Sequence, residues 1–272
     1  MHHHRSYIRR PVEDKQNTNR PIRRKYNMRP SPLLHSILGR VSKVGMPLRT
    51  ATPTGIIDYR CWLPWVRDQG TEGSCTGQAT SGWEDVFFGI CNQHVIPEKR
   101  SPAYLYARTR IAEGTFPRDS GACMADEFAV LQSFGVCGEQ DMPYDDSNPG
   151  EPVPNIADAD AASFRCGQPA TVDLSDVAKV HAVLASGMPI GIAIPVYESF
   201  ENTGSDGMVA VPDTSKEAML GGHGLLVLGA DFDKKVFIVA NSWGVNWGDK
   251  GFCYIPFAYT PLVWEAWTAI KS

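Results

Sequence analysis

The sequence predicts an α+β protein with a helical first half and a sheet-rich second half, on three observations. Apolar residues recur at three-to-four spacing before about residue 135, the signature of helices with one buried face. From Ile190 onward the pattern changes to alternation and short apolar runs, which read as strands. Two of those runs, Leu225 to Ala230 and Val236 to Ala240, are joined by the polar turn Asp231 to Lys235, a hairpin signal. Helices first and antiparallel strands later place the natural site in a cleft between the halves.

The helices follow in order. From Ser74 a helix carries Ala79, Trp83, Val86, Phe87 and Ile90 on one stripe, with Cys75 one turn ahead of Ala79. Ser101 followed by Pro102 is an N-cap and first-turn signature for a helix through about Ile111. Met124, Phe128 and Leu131 give a third, ending near Gly135. Residues 141 to 160, rich in Asp, Asn and Pro, read as a loop. Ser175 is expected to open a helix on Val177, Val180 and Leu184, stopped by Gly187 and Pro189. A strand then runs from Ile190 to Val196.

The start of the chain differs from the rest. Of the 26 Lys and Arg, 12 fall in residues 1 to 50, where the only acids are Glu13 and Asp14. The net charge of -4 therefore hides a basic arm and an acidic body, between which attraction is expected. Pro11, Pro21, Pro30, Pro32, Pro47 and Pro53 make residues 1 to 55 an extended arm, and Leu33, Leu34, Ile37 and Leu38 are its one apolar anchor. No apolar run reaches the length of a membrane span, so none is expected. The first residues have charge but no apolar stretch, which argues against a secretory signal and leaves the cytoplasm, or export by another route, open.

Seven cysteines without a C-x-x-C pair give a structural zinc site no support, and no metal or cofactor is called for. If one cysteine is catalytic, six remain for up to three disulfides or as buried thiols, and the sequence does not choose.

Three segments carry chemistry. In Gln69-Gly70-Thr71-Glu72-Gly73-Ser74-Cys75, a thiol at a helix start is placed to ionise, because free N–H groups and the helix dipole favour a thiolate. The backbone N–H there and the amide of Gln69 can together bind an oxyanion. In Gly221-Gly222-His223-Gly224, standing immediately before the strand Leu225 to Ala230, the histidine can face the cleft and exchange the thiol proton. His2, His3, His4 and His35 are on the arm, His94 follows a helix and His181 shares an apolar face, so His223 is left as the base. In Asn241-Ser242-Trp243-Gly244-Val245-Asn246-Trp247-Gly248, Asn241 ends the second hairpin strand and can accept the histidine's other N–H, with Trp243 covering the bond.

In this order the segments resemble the papain family of cysteine peptidases, whose motifs are Gln-Gly-x-x-Gly-Ser-Cys, Gly-His and Asn-Ser-Trp-Gly-x-x-Trp-Gly. Asp58-Tyr59-Arg60, Pro64-Trp65-Val66-Arg67-Asp68 and Gly135-Val136-Cys137-Gly138-Glu139 are similar to a bacterial and viral branch, so the resemblance covers about residues 56 to 272. It implies a papain-like two-lobed fold, with a left lobe of about 56–163, a right lobe of about 164–272, and an active-site cleft between them. It implies a cysteine endopeptidase acting on peptides or proteins through a thioester, with Cys75, His223, Asn241 and Gln69 as the catalytic set. It also implies that Gly73, Gly121, Gly222 and Trp247 contact substrate, and that an apolar side chain is accepted one position beyond the cleaved residue.

There are departures from the pattern. Glu72 replaces a disulfide cysteine, and Thr76 stands where many relatives have tryptophan, so the wall beside the nucleophile is expected to be more polar. A histidine pair that would occlude the cleft is missing, which favours endopeptidase over exopeptidase action. The family's long helical prodomain is replaced by the short basic arm, which makes the chain a candidate zymogen whose arm contacts the cleft and restricts it. A solvated tail is the blander reading, and no nucleic-acid partner is expected. A monomer is expected. A papain-like scaffold that only binds peptides, and acyl transfer to an amine, are the competing readings of the same residues.

Overall fold

The computed structural model describes residues 24–31, 42–43, 52–94 and 98–270. The apolar cluster Leu33 to Leu38 and His2, His3, His4 and His35 lie outside the described residues.

In chain order the elements are β1 (Ser42–Lys43), β2 (Ile56–Asp58), α1 (Cys75–Asn92), α2 (Pro102–Ala112), α3 (Met124–Ser133), α4 (Asn155–Ala161), β3 (Pro169–Thr171), α5 (Val177–Ala185), β4 (Ile190–Tyr197), α6 (Glu198–Glu201), β5 (Met219–Asp231), β6 (Val236–Ala240), β7 (Phe252–Pro256) and β8 (Glu265–Ala269). The strands form one sheet in the order β1-β3-β8-β4-β5-β6-β7, with β2 also on β5, and every pair except β1–β3 is antiparallel. The result is an α+β fold of two lobes, with α1 lying between the helices and β5.

The helical lobe is built as the periodicity predicts. Ser101 accepts the N–H of Tyr104 and Pro102 starts α2, so the cap and the proline act together. Trp83 on α1 is fully buried, stacked on Phe87 and edge-on to Phe128, and donates its indole N–H to the Pro189 carbonyl at 2.7 Å. Arg67, just ahead of the Gln69 loop, pairs with Asp85 on α1 at 2.5 Å, with both side chains almost wholly buried.

The structure departs from the sequence reading in three places. Asp176, not Ser175, caps α5: its carboxylate accepts the N–H of Lys179, while Ser175 is occupied by Asp173. The segment read as a loop contains the short helix α4, which buries Ala157 and Ala161 in spite of its polar composition. His223 lies inside β5 rather than ahead of it, because β4 extends the ladder outward, pairing Ile194 with His223 and Pro195 with Gly222.

Strict alternation in β4 also gives way to burial of both faces. Its small alternate residues make room for helices: a Cβ on Gly191 would lie 3.0 Å from the Phe128 ring. All seven cysteines are free thiols, five of them buried, so the open choice falls on packing rather than disulfides. Among the described residues, no helix is long and apolar enough to cross a membrane.

Candidate active site

Cys75 is the first residue of α1, and His223 and Asn241 arrive from β5 and the end of β6. The hairpin register pairs Leu226 with Ala240, which brings Asn241 alongside the start of the apolar run. Asn241 Oδ1 lies 2.8 Å from His223 Nε2 and also accepts the backbone N–H of Ser242 at 2.8 Å. Trp243 stacks on the imidazole with ring centroids 4.8 Å apart and shields the bond, as expected. Trp247 packs edge-on against Trp243 and donates its indole N–H to the Glu201 carbonyl at 3.2 Å.

The loop before α1 is tied to the same strand end. Gln69 N donates to the Ser242 carbonyl at 2.9 Å, and Ser242 Oγ donates to Gln69 Oε1 at 2.7 Å. One amide hydrogen of Gln69 goes to the Glu72 carbonyl at 2.9 Å, which leaves the other for a ligand. Asp146, in the segment read from the sequence as a loop, accepts the N–H and hydroxyl of Thr71 and braces the Gln69 loop from outside.

The departures at Glu72 and Thr76 turn inward. Glu72 is buried beside Tyr144 and Ser74, and burial raises its carboxyl to about 7. Thr76 is fully buried and donates to Glu127 at 2.9 Å, so the extra polarity lies beneath the nucleophile rather than on an open cleft wall. Burial pushes Glu127 up to about 8.

Electrostatics correct one expectation. Cys75 and His223 are both 0% exposed. Burial pushes the Cys75 thiol up to about 12, outweighing the N–H groups of Gly224 and Thr76 that favour the thiolate. Burial likewise lowers His223 to about 4, against the bond to Asn241, and the charge of Arg24 lowers it further. His223 Nδ1 has no hydrogen-bond partner. In this state the pair is a neutral thiol and a neutral imidazole.

Across the rim of the site lies a segment that sequence reasoning had not resolved in detail. Residues 24–31 run across the glycines of the site. Gly222 N donates to the Tyr26 carbonyl at 3.4 Å, Asn27 forms a bridge with Gly222, and Arg29 N donates to the Ala122 carbonyl at 3.5 Å. A Cβ on Gly121 would lie 2.0 Å from Asn27 O, and its φ of +70° already favours glycine. Gly73 is less tightly covered, a Cβ there falling 3.2 Å from the Asn27 amide nitrogen, while its N–H donates to Asp119.

Side chains hold the segment at both ends. Arg24 lies 4.6 Å over the Trp243 ring, Tyr26 OH bonds Glu201, Lys25 pairs with Asp119 at 2.5 Å and Arg29 with Glu113 at 2.5 Å. Ser31 bonds Glu265. The acidic partners sit in unrelated stretches, and only the overall charge split signalled them. The other two candidate histidines stay away from the site: His181 packs on Phe232 and His94 is exposed.

Comparison with known proteins agrees with this architecture. The profile described as papain family cysteine protease matches residues 56–259, and the chain belongs to that family. An uncharacterized peptidase C1-like protein of Acanthamoeba polyphaga mimivirus is 30% identical over 201 residues, 71% of this chain and 64% of that protein. Cathepsin L of Sarcophaga peregrina is 24% identical over 240 residues, 84% of this chain and 66% of that protein. The chain thus spans slightly less than two thirds of the length of these curated relatives. Among solved structures, xylellain, a cysteine protease from Xylella fastidiosa, superposes with a TM-score of 0.79 at 26% identity, covering 94% of this chain and all (100%) of that one. A Carica candamarcensis cysteine protease shares the fold at TM-score 0.64 and 18% identity, covering 81% of this chain and 100% of that one.

Proposed function

We propose that the protein is a cysteine endopeptidase that hydrolyses peptide bonds through a thioester, with Cys75 as nucleophile and His223 as base and then acid. Asn241 orients the imidazole, and Gln69 with the backbone N–H of Cys75 holds the oxyanion. The observation that carries the reading is the His223–Asn241 bond under Trp243, in a ring whose Nδ1 is left unpartnered. Nδ1 takes the thiol proton while Sγ bonds to the scissile carbonyl carbon. Collapse of the adduct breaks the C–N bond, and the proton passes to the leaving amine. Water, deprotonated by the same nitrogen, then attacks the thioester and releases the acid and the thiol.

Gly73, Gly121 and Gly222 lie along the substrate backbone in this reading, and Trp247 floors the leaving-group side. The contacts of the three glycines with residues 24–31 support it, since those residues already use the same surfaces. The acyl part of a substrate would lie toward Gly121 and the leaving part toward Trp247. Residues 24–31 run the other way, from Trp243 to Glu265, so their peptide bonds meet Cys75 reversed.

We also propose that residues 1–55 are an arm that restricts the cleft of a monomeric peptidase domain at 56–272, with lobes meeting near residue 163. Two separate apolar clusters, one mostly helical and one mostly of strands, support the division. The test is labelling of the full chain with an epoxide thiol inhibitor, with Cys75→Ser beside it and Tyr26→Ala/Asn27→Ala to loosen the arm. Label confined to Cys75 and faster in the loosened chain supports both proposals. Label absent from Cys75 in every form removes the peptidase reading, and equal rates remove the restricting arm.

A further inference from the structure

The loop that carries Gln69 and leads into α1 rests on a buried carboxyl that the peptide-cleaving steps leave idle. Glu72 is 4% exposed and lies between Gln69 and Ser74, which are both wholly buried. Its backbone already serves Gln69: the N–H donates to the Gln69 carbonyl at 3.2 Å, and the carbonyl accepts the Gln69 side-chain amide at 2.9 Å. Its side chain lies against two hydroxyls, those of Tyr144 and Ser74. Tyr144 donates to the Gln69 carbonyl at 2.8 Å, and the two hydroxyl oxygens stand 2.7 Å apart. Ser74 is the N-cap of α1, directly ahead of Cys75.

The hydrogens available decide what this arrangement requires. Tyr144 and Ser74 bring one hydroxyl hydrogen each. Tyr144 spends its hydrogen on the Gln69 carbonyl, so the one from Ser74 must fill the 2.7 Å contact. Neither is left for Glu72, whose Oε2 is buried without a partner. The nearby Gly73 N–H goes to Asp119. Arg110 of α2 acts on Glu72 through its charge, while its guanidinium is bonded to the carbonyls of Tyr106, Arg118 and Pro149. Asp119 opposes it from the loop after α2, and Asp145 and Glu151 line the same small cavity as Glu72. An ionised Glu72 would be a buried charged acceptor in need of a donor, and it would draw the Tyr144 hydrogen away from Gln69. A neutral Glu72 brings a third hydrogen and closes the network.

We propose that Glu72 is a positioning residue for the oxyanion site: neutral, it completes the Tyr144–Ser74 network that braces Gln69 and the start of α1; ionised, it takes the Tyr144 hydroxyl from Gln69 and slows turnover. The inference rests on the peptidase reading. Burial, the largest influence, raises the carboxyl from 4.5 to about 7, against the two hydroxyls and the charge of Arg110. The neutral form therefore holds below about pH 7 and is lost above it. Asp119 raises the group further, and Lys25 of the arm matches that acid at 2.5 Å. When the arm withdraws, the unmatched charge of Asp119 moves the transition upward.

The test uses the full chain carrying Tyr26→Ala/Asn27→Ala, with and without Glu72→Gln, which keeps the size and neutrality of the protonated acid. Initial rates on an internally quenched peptide pool are divided by the Cys75 titrated with epoxide, so unfolded chains do not count. The ratio of the parent rate to the Glu72→Gln rate is expected to be level below about pH 6 and to fall by about threefold or more by pH 9, as one hydrogen bond is lost. Titration of Cys75 and His223 affects both chains and cancels. With Tyr144→Phe in both chains there is no hydroxyl to redirect, and the ratio stays level. A ratio independent of pH, which a purely structural role would give, or a fall that survives Tyr144→Phe, overturns the proposal. So does an infrared difference between the two chains at pH 5 that shows Glu72 only as a carboxylate. Cleavage by labelled enzyme with a level ratio refutes the role of Glu72 alone. Absence of cleavage in every chain refutes the peptidase reading, and this inference with it.

Discussion

Asn241 accepts from His223 through an oxygen whose identity is fixed by a second donor. The backbone N–H of Ser242 can only donate, and it meets Asn241 Oδ1 at 2.8 Å, so the atom facing His223 Nε2 at 2.8 Å is also the acceptor. His223 Nε2 therefore carries the hydrogen, and the neutral ring keeps its lone pair on Nδ1. Replacing Asn241 with Ala removes a hydrogen bond that strengthens as the ring becomes charged, worth about 1.5–3 kcal/mol. The expected outcome is a kcat lower by about 10–100-fold with KM little changed, measured in steady state.

The covering segment sets the ionisation of the site. With Cys75 pushed up to about 12 and His223 down to about 4, neither group is charged at neutral pH. Loosening the segment readmits water and takes Arg24 away, which lowers the thiol pKa and raises that of the imidazole. Alkylation of Cys75 at pH 7 is expected to be at least about tenfold faster in the Tyr26→Ala/Asn27→Ala chain, and its pH profile to move to lower pH. Raising salt alone should have a smaller effect. Lys25 and Arg29 are 47% and 48% exposed, and such pairs contribute about 0–1 kcal/mol each.

Glu127 links stability to pH. Its folded carboxyl, raised by burial from an ordinary value of 4.5 to about 8, binds its proton more tightly than in the unfolded chain. Stability is therefore fully present below about pH 4.5 and declines until the group ionises near pH 8. Glu84 is raised in the same way and adds to the slope. Glu127→Gln keeps an acceptor for Thr76 and removes the titration. The expected outcome is a melting temperature higher by about 3–6 °C at pH 8 and little changed at pH 5, read by calorimetry.

Asp85 anchors the segment that leads into the Gln69 loop. Besides pairing with Arg67, it accepts the N–H of Arg100 at 3.0 Å. Asp85→Ala leaves the Arg67 charge buried and unpaired, at a cost of about 3–5 kcal/mol in chemical denaturation.

The parts legible in the sequence were those set by local chemistry. The stripe Ala79 to Ile90, the Ser101–Pro102 cap and the apolar hairpin runs declare their elements within a few residues. The Cys75, His223 and Asn241 segments also mark the candidate site, because glycine and tryptophan spacing there is unusual. What escaped was non-local. His223 belongs to β5 only because β4 pairs beyond the apolar run, and α4 forms because Ala157 and Ala161 find a core to enter. The acids Glu113, Asp119, Asp126 and Glu265 look like ordinary surface charges until the fold assembles them, and Tyr26 and Asn27 carry no signal of their seat in the groove. The helix-start argument for a low thiol pKa named a real effect, but burial outweighs it.

The most direct test of the central claim is to catch the thioester itself. The loosened full chain is mixed with an activated peptide ester, quenched in acid, and mapped by mass spectrometry. The account predicts the acyl mass on the peptide containing Cys75, appearing within one turnover, lost in Cys75→Ser and accumulating less in Asn241→Ala. Turnover without an acyl mass on Cys75, or the mass on the exposed Cys61 or Cys91 instead, would contradict it.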